Sequence, residues 1–143
     1  MPSLGEDDAR SRLARTRHAY LATASAAGTP HVVPITFAVA ADVVYSAVDA
    51  KPKRSTRLRR IANIEANPRV SVLVDAWDED WTRLWWVRAD GRARLVEPAS
   101  ERAAATTALR AKYAQYADHA LDGPVIAIDV DRVTGWAAEQ AEH

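Results

Sequence analysis

The sequence predicts a mainly β protein: a small antiparallel barrel of six or more strands, decorated by two to three helices. Three observations carry this prediction. Short runs of period-2 alternation recur along the chain, at residues 43–48 (VVYSAV), 70–74 (VSVLV) and 125–130 (VIAIDV), the pattern of pleated and largely buried strands. Turn signals separate them, namely Ala27-Gly28-Thr29-Pro30, Ala41-Asp42, Glu97-Pro98 and Gly123-Pro124. Helical spacing is confined to two or three stretches, too few for the strict alternation of a parallel βαβ sheet. Closure into a barrel also removes exposed strand edges.

Taken in order, Ser3-Leu4-Gly5-Glu6 has the spacing of a capping box, which predicts a helix from about Gly5 to Arg17. Its apolar stripe is thin (Leu4, Ala9, Leu13), so it is expected over the outside of the fold. Residues 18–24 read as a strand, and 31–39 as the next, with Val33, Ile35 and Phe37 on one face and Val32, Thr36 and Ala38 on the other. Pro34 lies inside this second strand and donates no ladder hydrogen bond, which predicts a bulge or an unpaired edge there. The strand at 43–48 leads into a basic loop and a short helix closed by Asn67-Pro68, since proline disfavours the α conformation of the residue before it. A strand follows at 70–74, then an acidic loop and a long strand over 84–96. Ser100 caps a helix over roughly 101–116, with Ala105, Leu109, Tyr113 and Tyr116 on one face. The last strand spans 125–130, extended or flanked by 133–136. With no repeat, low-complexity segment or linker, residues 1–143 are expected to form one domain.

The most informative stretch lies between the third and fourth strands. From Lys51 to Arg60 there are six cations and no anion, delivered at a loop and the start of a helix that Ser55 is suited to cap. Backbone N–H groups, the helix dipole and the lysine ammoniums converge there into a site for an anion, most simply a phosphate. The alternative at this point is a solvated basic helix face.

Composition narrows the classes of function. The chain has 143 residues, 48% of them hydrophobic, and a formal net charge of zero, which fits a single cored domain without a global field for nucleic acid or membrane. There is no cysteine, excluding disulfides and thiolate chemistry. The N-terminus lacks the apolar core of a signal peptide, and no apolar run reaches membrane-spanning length; a cytoplasmic protein is expected. His18, His31, His119 and His143 are scattered without metal-ligand spacing. No GxSxG elbow, GxGxxG turn or Walker loop is present. Without a catalytic constellation, either a cofactor carries the chemistry or the protein only binds something. Four of the five tryptophans crowd into residues 77–86.

Five segments in order then carry a resemblance: HVVPITF at 31–37, YSAVDAKPKR at 45–54, LRRIANIEANPRVSVLV at 58–74, WWVRADGRARLV at 85–96 and IAIDVDRVTGW at 126–136. With them the chain resembles the pyridoxamine-phosphate-oxidase-like split β-barrel superfamily, in particular its branch dependent on the deazaflavin coenzyme F420. The resemblance implies an oxidoreductase, homodimeric, in which Val33, Pro34, Ile35 and Thr36 line the cofactor ring. It assigns the phosphate to Ser46, Ala47, Lys51, Lys53, Arg54 and Ser55, in agreement with the anion site read from charge. In flavin-using relatives a polar RQVR-like motif from the other subunit reaches the ring; here Trp85-Trp86-Val87-Arg88 aligns with it, so Trp86 replaces the glutamine. An apolar cleft for a planar ring suits that departure. Trp85 is expected either at the ring or in the dimer interface, and Trp77 and Trp81 at the interface or its rim.

The implied function is hydride transfer from reduced coenzyme F420 to a small-molecule substrate, with Arg57 and Arg60 free to meet carboxylates on the cofactor tail. No catalytic acid is evident. Two alternatives remain: an FMN-dependent flavoprotein on the same fold, and a non-catalytic binding protein for a deazaflavin, haem or other planar ligand. Nucleic-acid binding through Arg57, Arg59 and Arg60 has little support from one short basic helix in a neutral chain.

Overall fold

A computed structural model describes residues 3–48 and 54–139, with side chains throughout except those of residues 54–58. Among the described residues there are seven strands and three α-helices: α1 Glu6–Arg15, β1 Ala19–Ala24, β2 Pro30–Ile35, β3 Ala38–Ala40, β4 Val43–Ala47, α2 Arg54–Ala66, β5 Arg69–Ala76, β6 Trp85–Leu95, α3 Ala99–Lys112 and β7 Val125–Ala137. The strands form one antiparallel sheet in the order β2-β1-β5-β6-β7-β4-β3.

That order forces the sheet to curl. Its two edges, β2 and β3, are joined by Thr36 and Phe37 alone. Three steps of chain reach about 11 Å, whereas the six gaps of a flat seven-stranded sheet would separate the edges by about 29 Å. The sheet therefore bends until its edges meet at this corner, giving the split half-barrel. The strand expected over 31–39 is thus two strands. It breaks because Thr36 and Phe37 turn their backbone away from the ladder: Ser46 Oγ donates to the Thr36 carbonyl at 2.8 Å, and the Phe37 amide donates to Tyr113 Oη at 3.1 Å. Pro34 sits where its missing donor costs least, since β2 is an edge strand paired only with β1.

The concave side holds the main core, built from fully buried side chains that include Leu21, Phe37, Val72, Val87 and Ile128. α1 is no outer decoration. Ala9 and Leu13 are buried in that core, and the preceding segment docks through the Leu4 amide on the Gly135 carbonyl at 3.0 Å. Gly135 permits this approach, because a Cβ there would stand 3.0 Å from Leu4 and 3.3 Å from Ala9. The expected capping box does not form: Gly5 is the N-cap, Ser3 instead bridges to Trp136, and Glu6 pairs with Arg10 one turn on at 2.8 Å. Similarly, Ser55 is not the cap of α2, since Arg54 is already helical, and α3 starts from Pro98 rather than Ser100.

β6 runs unbroken past Asp90-Gly91 with a register shift at that point, and β7 absorbs both expected final segments into 13 residues. α3 lies on the other side of the sheet from α1's core contacts, with Ala105 and Leu109 fully buried. Arg94 of β6 ties it down, giving paired hydrogen bonds to Glu101 at 2.8 and 2.9 Å and to Asp129 at 2.8 and 3.1 Å. Tyr45 Oη adds a bond to Glu101 at 2.8 Å. These bonds hold the Glu101 carboxyl down at about 2, while burial and that same bond push the Tyr45 hydroxyl up to about 12.

Candidate functional site

Alternation along β1, β2, β5 and β6 sends one set of side chains to the core and the other to the convex face. On that outer face Tyr20, Val32 and Leu73 remain 38%, 60% and 38% exposed. With Trp86 and Arg88 they line a groove of about 520 Å³. Register explains the grouping, because Tyr20 lies opposite Leu73 and Pro34, and Asp75 opposite Trp86. Arg88 stands 5.9 Å above the Trp86 ring, and its Nε is shared with Asp90 at 3.1 Å. The groove floor is therefore apolar and flat, with one cation held at its side.

Of the ring-lining residues expected on β2, Val33 and Ile35 are buried in the core, while Pro34 faces outward. Beyond them β2 is a sheet edge, without a second neighbour strand. Thr36 stands at the corner, its hydroxyl 2.6 Å from that of Tyr116. Ser46 is buried with its hydroxyl committed to Thr36, and Ala47 packs against the cluster of Leu109 and Tyr113. The two residues shape the corner at which the basic loop begins. Lys51 and Lys53 lie outside the described residues, and for Arg54, Ser55 and Arg57 the backbone alone places them in the first turn of α2.

The tryptophans divide between two faces. Trp86 lies in the outer groove, whereas Trp85 points the opposite way, packs on the main core and carries Arg12 at 5.0 Å over its ring. Trp77 and Trp81, 67% and 66% exposed, meet edge to face at 6.4 Å in the loop before β6. Asp80 fixes that loop by accepting the Thr82 amide at 3.1 Å.

Sequence reasoning missed Leu73, although the signal was there: among Ser71, Leu73 and Asp75 on the solvent face of β5, one large apolar residue stands out. It also missed the hydrogen bonds of Tyr113, which caps the end of α3, and of Tyr116 in the short turn beyond; the helix expected to reach residue 116 stops at Lys112. Tyr113 Oη accepts from Phe37 and donates to the Arg17 carbonyl at 2.9 Å. Lys112 was missed as well; its ammonium is buried 3.7 Å from the Phe37 ring centre, and burial, then Arg17, pulls its pKa down to about 8.

No helix among the described residues is long and apolar enough to cross a membrane. Solved structures share the architecture. A FAD-binding protein from Mesorhizobium loti is 25% identical, with a TM-score of 0.72 and coverage of 93% of this chain and 94% of that one. A heme-binding protein from Mycobacterium smegmatis is also 25% identical, with a TM-score of 0.72, and covers 94% of this chain, which spans 54% of the larger protein. A FAD-binding protein from the same organism, 21% identical with a TM-score of 0.65, covers 94% and 96% and shares the fold. The chain matches no curated protein. Residues 6–137 match the pyridoxamine 5'-phosphate oxidase family, and with nearly its whole length inside that match the chain belongs to this family of split barrels.

Proposed function

We propose that the chain is a homodimeric oxidoreductase that uses reduced coenzyme F420 as a two-electron donor to a small organic substrate. The observation that carries this reading is the outer groove, in which Tyr20, Val32, Leu73 and Trp86 hold an apolar surface open beside the free edge of β2. Membership of a family named for an oxidase supports it. The bound cofactor supplies the hydride. The residues of the chain bind, orient and exclude water.

The edge strand at Val33, Pro34, Ile35 and Thr36 forms the wall against which a planar ring would rest. Lys51, Lys53 and Arg54, with Ser55 and Arg57 in the first turn of α2, neutralise its phosphate. Ser46 and Ala47 set the angle at which the chain enters that loop. A second copy of the chain covers the groove and brings its own Trp86 to the ring, excluding water from both sites. An interface of this kind buries about 2,000 Å² or more in total.

A flavin is the second reading, favoured by the 25% identity to the FAD-binding protein of Mesorhizobium loti. Both cofactors carry a tricyclic ring and a phosphate, so the cations serve them equally. Discrimination arises at Trp86, which leaves polar flavin edges without the amide that would pair them, an arrangement that costs affinity.

Separate titrations of the purified protein with coenzyme F420 and with FMN, read by fluorescence, test the proposal. Tighter binding of coenzyme F420 by a dimer supports it. Equal or tighter binding of FMN makes the flavoprotein the better reading. Binding of neither removes the oxidoreductase and leaves a binding protein for another planar ligand.

A further inference from the structure

The outer groove does not end at Ala22 and Ser71. These two small residues are register partners on β1 and β5, and both also line a second cavity, of about 470 Å³, farther along the sheet. Neither side chain is tall enough to wall one hollow from the other, so the two form a single trough. Its chemistry changes along its length. Tyr20, Leu73 and Trp86 floor the first part, whereas Arg69, Asp90, Asp131 and Arg132 line the second.

The charged end holds more cation than its acids can pair. Across the ladders Arg69 lies opposite Arg92, and Asp90 opposite Arg132. Like charges directly opposite each other destabilise a sheet, and the nearest carboxylates do not relieve this pair. Asp90 is taken by Ser71 at 2.6 Å and by Arg88 at 3.1 Å. Asp129, opposite Arg92, gives both oxygens to Arg94 at 2.8 and 3.1 Å. Arg69, Arg92 and Arg132 are all exposed and, among the described residues, in no ion pair. Against these three arginines stands one acid that is equally unpaired, Asp131. It is the extra residue of a bulge, left out as the register passes from Asp90 and Arg132 to Gly91 and Val130. Gly91 permits the close crossing, because a Cβ there would collide with the Asp129 carbonyl. Bulges recur beside active sites, where they re-aim side chains.

We propose that Arg69 and Arg132 receive a carboxylate of the substrate, whose flat apolar body lies along the trough from Leu73 to Trp86. The substrate class is therefore a planar, largely apolar carboxylic acid. The inference rests on the proposed function, in which substrate and cofactor ring share the groove, and it names the end of the substrate that does not react. Arginine suits the task, since its planar fork matches a carboxylate with two parallel hydrogen bonds. Arg92 adds to the local positive field. From Leu73 to Arg69 on β5 the backbone advances about 13 Å, room for a fused ring system between the floor and the guanidinium groups.

Dissociation constants of naphthoate and of the uncharged naphthamide are measured by calorimetry on the full chain at constant ionic strength, with and without saturating coenzyme F420. The wild type should bind naphthoate at least tenfold more tightly than naphthamide. Arg69→Gln and Arg132→Gln together should abolish that preference, and each alone should reduce it threefold or more. Arg59→Gln, at an exposed position on α2, should leave it within twofold. Trp86→Ala should weaken acid and amide alike. Absence of naphthoate binding, equal binding of acid and amide, a preference that survives the double substitution, or indifference of both ligands to Trp86→Ala would each overturn the site. Exclusion of naphthoate by bound coenzyme F420 would do so too, because the arginines would then serve carboxylates of the cofactor. If the cofactor fails to bind while the naphthoate pattern holds, the oxidoreductase reading fails and the acid site stands. Binding of the cofactor without that pattern gives the reverse.

Discussion

The hydroxyl of Tyr113, at the end of α3, accepts the backbone N–H of Phe37 at 3.1 Å across 76 residues of sequence. The same oxygen donates to the carbonyl of Arg17 at 2.9 Å. One side chain therefore satisfies two backbone groups, one at the corner where β2 becomes β3 and one at the entry to β1. This is the corner at which the sheet edges meet and beside which the basic loop starts. α3 is a brace for the site as well as a cover for the sheet.

Tyr113→Phe keeps the ring and removes both bonds. Leaving a buried amide and a carbonyl unpaired costs about 1–3 kcal/mol, so the chain should unfold at lower denaturant with an unchanged slope. Hydrogen exchange at the Phe37 amide should accelerate more than at amides of β6. A variant as stable as the wild type would show that the corner does not depend on Tyr113.

Lys112 should make stability rise with alkaline pH. Its folded pKa of about 8 lies below the ordinary lysine value, so between pH 8 and about 10.5 the unfolded chain binds more protons and unfolding becomes less favourable as pH rises. The attraction of the ammonium for the Phe37 ring does not offset its burial. Lys112→Met should be at least as stable as the wild type at pH 7, and should lose the rise. Denaturant titrations of both proteins between pH 7 and 10 decide it.

Glu101 acts in the opposite window. Arg94 first, then Tyr45, hold its carboxyl at about 2, below the unfolded value of about 4.3. Its stabilising contribution is complete above the unfolded pKa and is lost as pH falls toward 2. Arg94→Met should flatten that acid limb, while Tyr45→Phe should flatten it less, since the arginine bonds are charge-assisted. Unfolding midpoints collected from pH 6 to pH 2.5 test the order.

Leu73 reports on what covers the outer groove. It is exposed in the single chain and stands opposite Tyr20 and Arg88. Leu73→Lys should change the stability of an uncovered surface by less than about 0.5 kcal/mol. If a second copy seats there, the same substitution buries an unpaired charge and converts dimer to monomer in sedimentation at micromolar concentration. An unchanged dimer would move the interface elsewhere.

How much of this was legible beforehand differs from element to element. The alternation of Val33, Ile35 and Phe37 records an inward face, and all three are buried. Pro34 correctly marks an edge, and the stripe of Ala105, Leu109 and Tyr113 correctly marks the inner side of α3. These features are local, because a pleat or a helical turn repeats every two or four residues and burial follows the repeat. The run of cations from Lys51 to Arg60 is likewise plain in the chain itself.

Tertiary structure decided the rest. Ser3 and Glu6 have capping-box spacing, yet Ser3 is drawn to Trp136 of β7 and the box is lost. Residues 31–39 look like one strand, but Thr36 and Phe37 take partners 10, 76 and 80 residues away and the ladder breaks between them. Adjacent Trp85 and Trp86 look alike in sequence; one lies on the core beside Arg12 and the other in the open groove, according to which face of β6 the register turns inward. Arg59 and Arg60 are equivalent as charges, and only the docking of α2 through Asn63 onto Thr23 makes one exposed and the other half-buried. The physical reason lies in the distance along the chain over which partners are chosen. Periodicity states which side of an element is apolar, whereas the pairing of buried polar groups is settled among residues distant in sequence, where an unpaired donor or charge costs more than any local preference supplies.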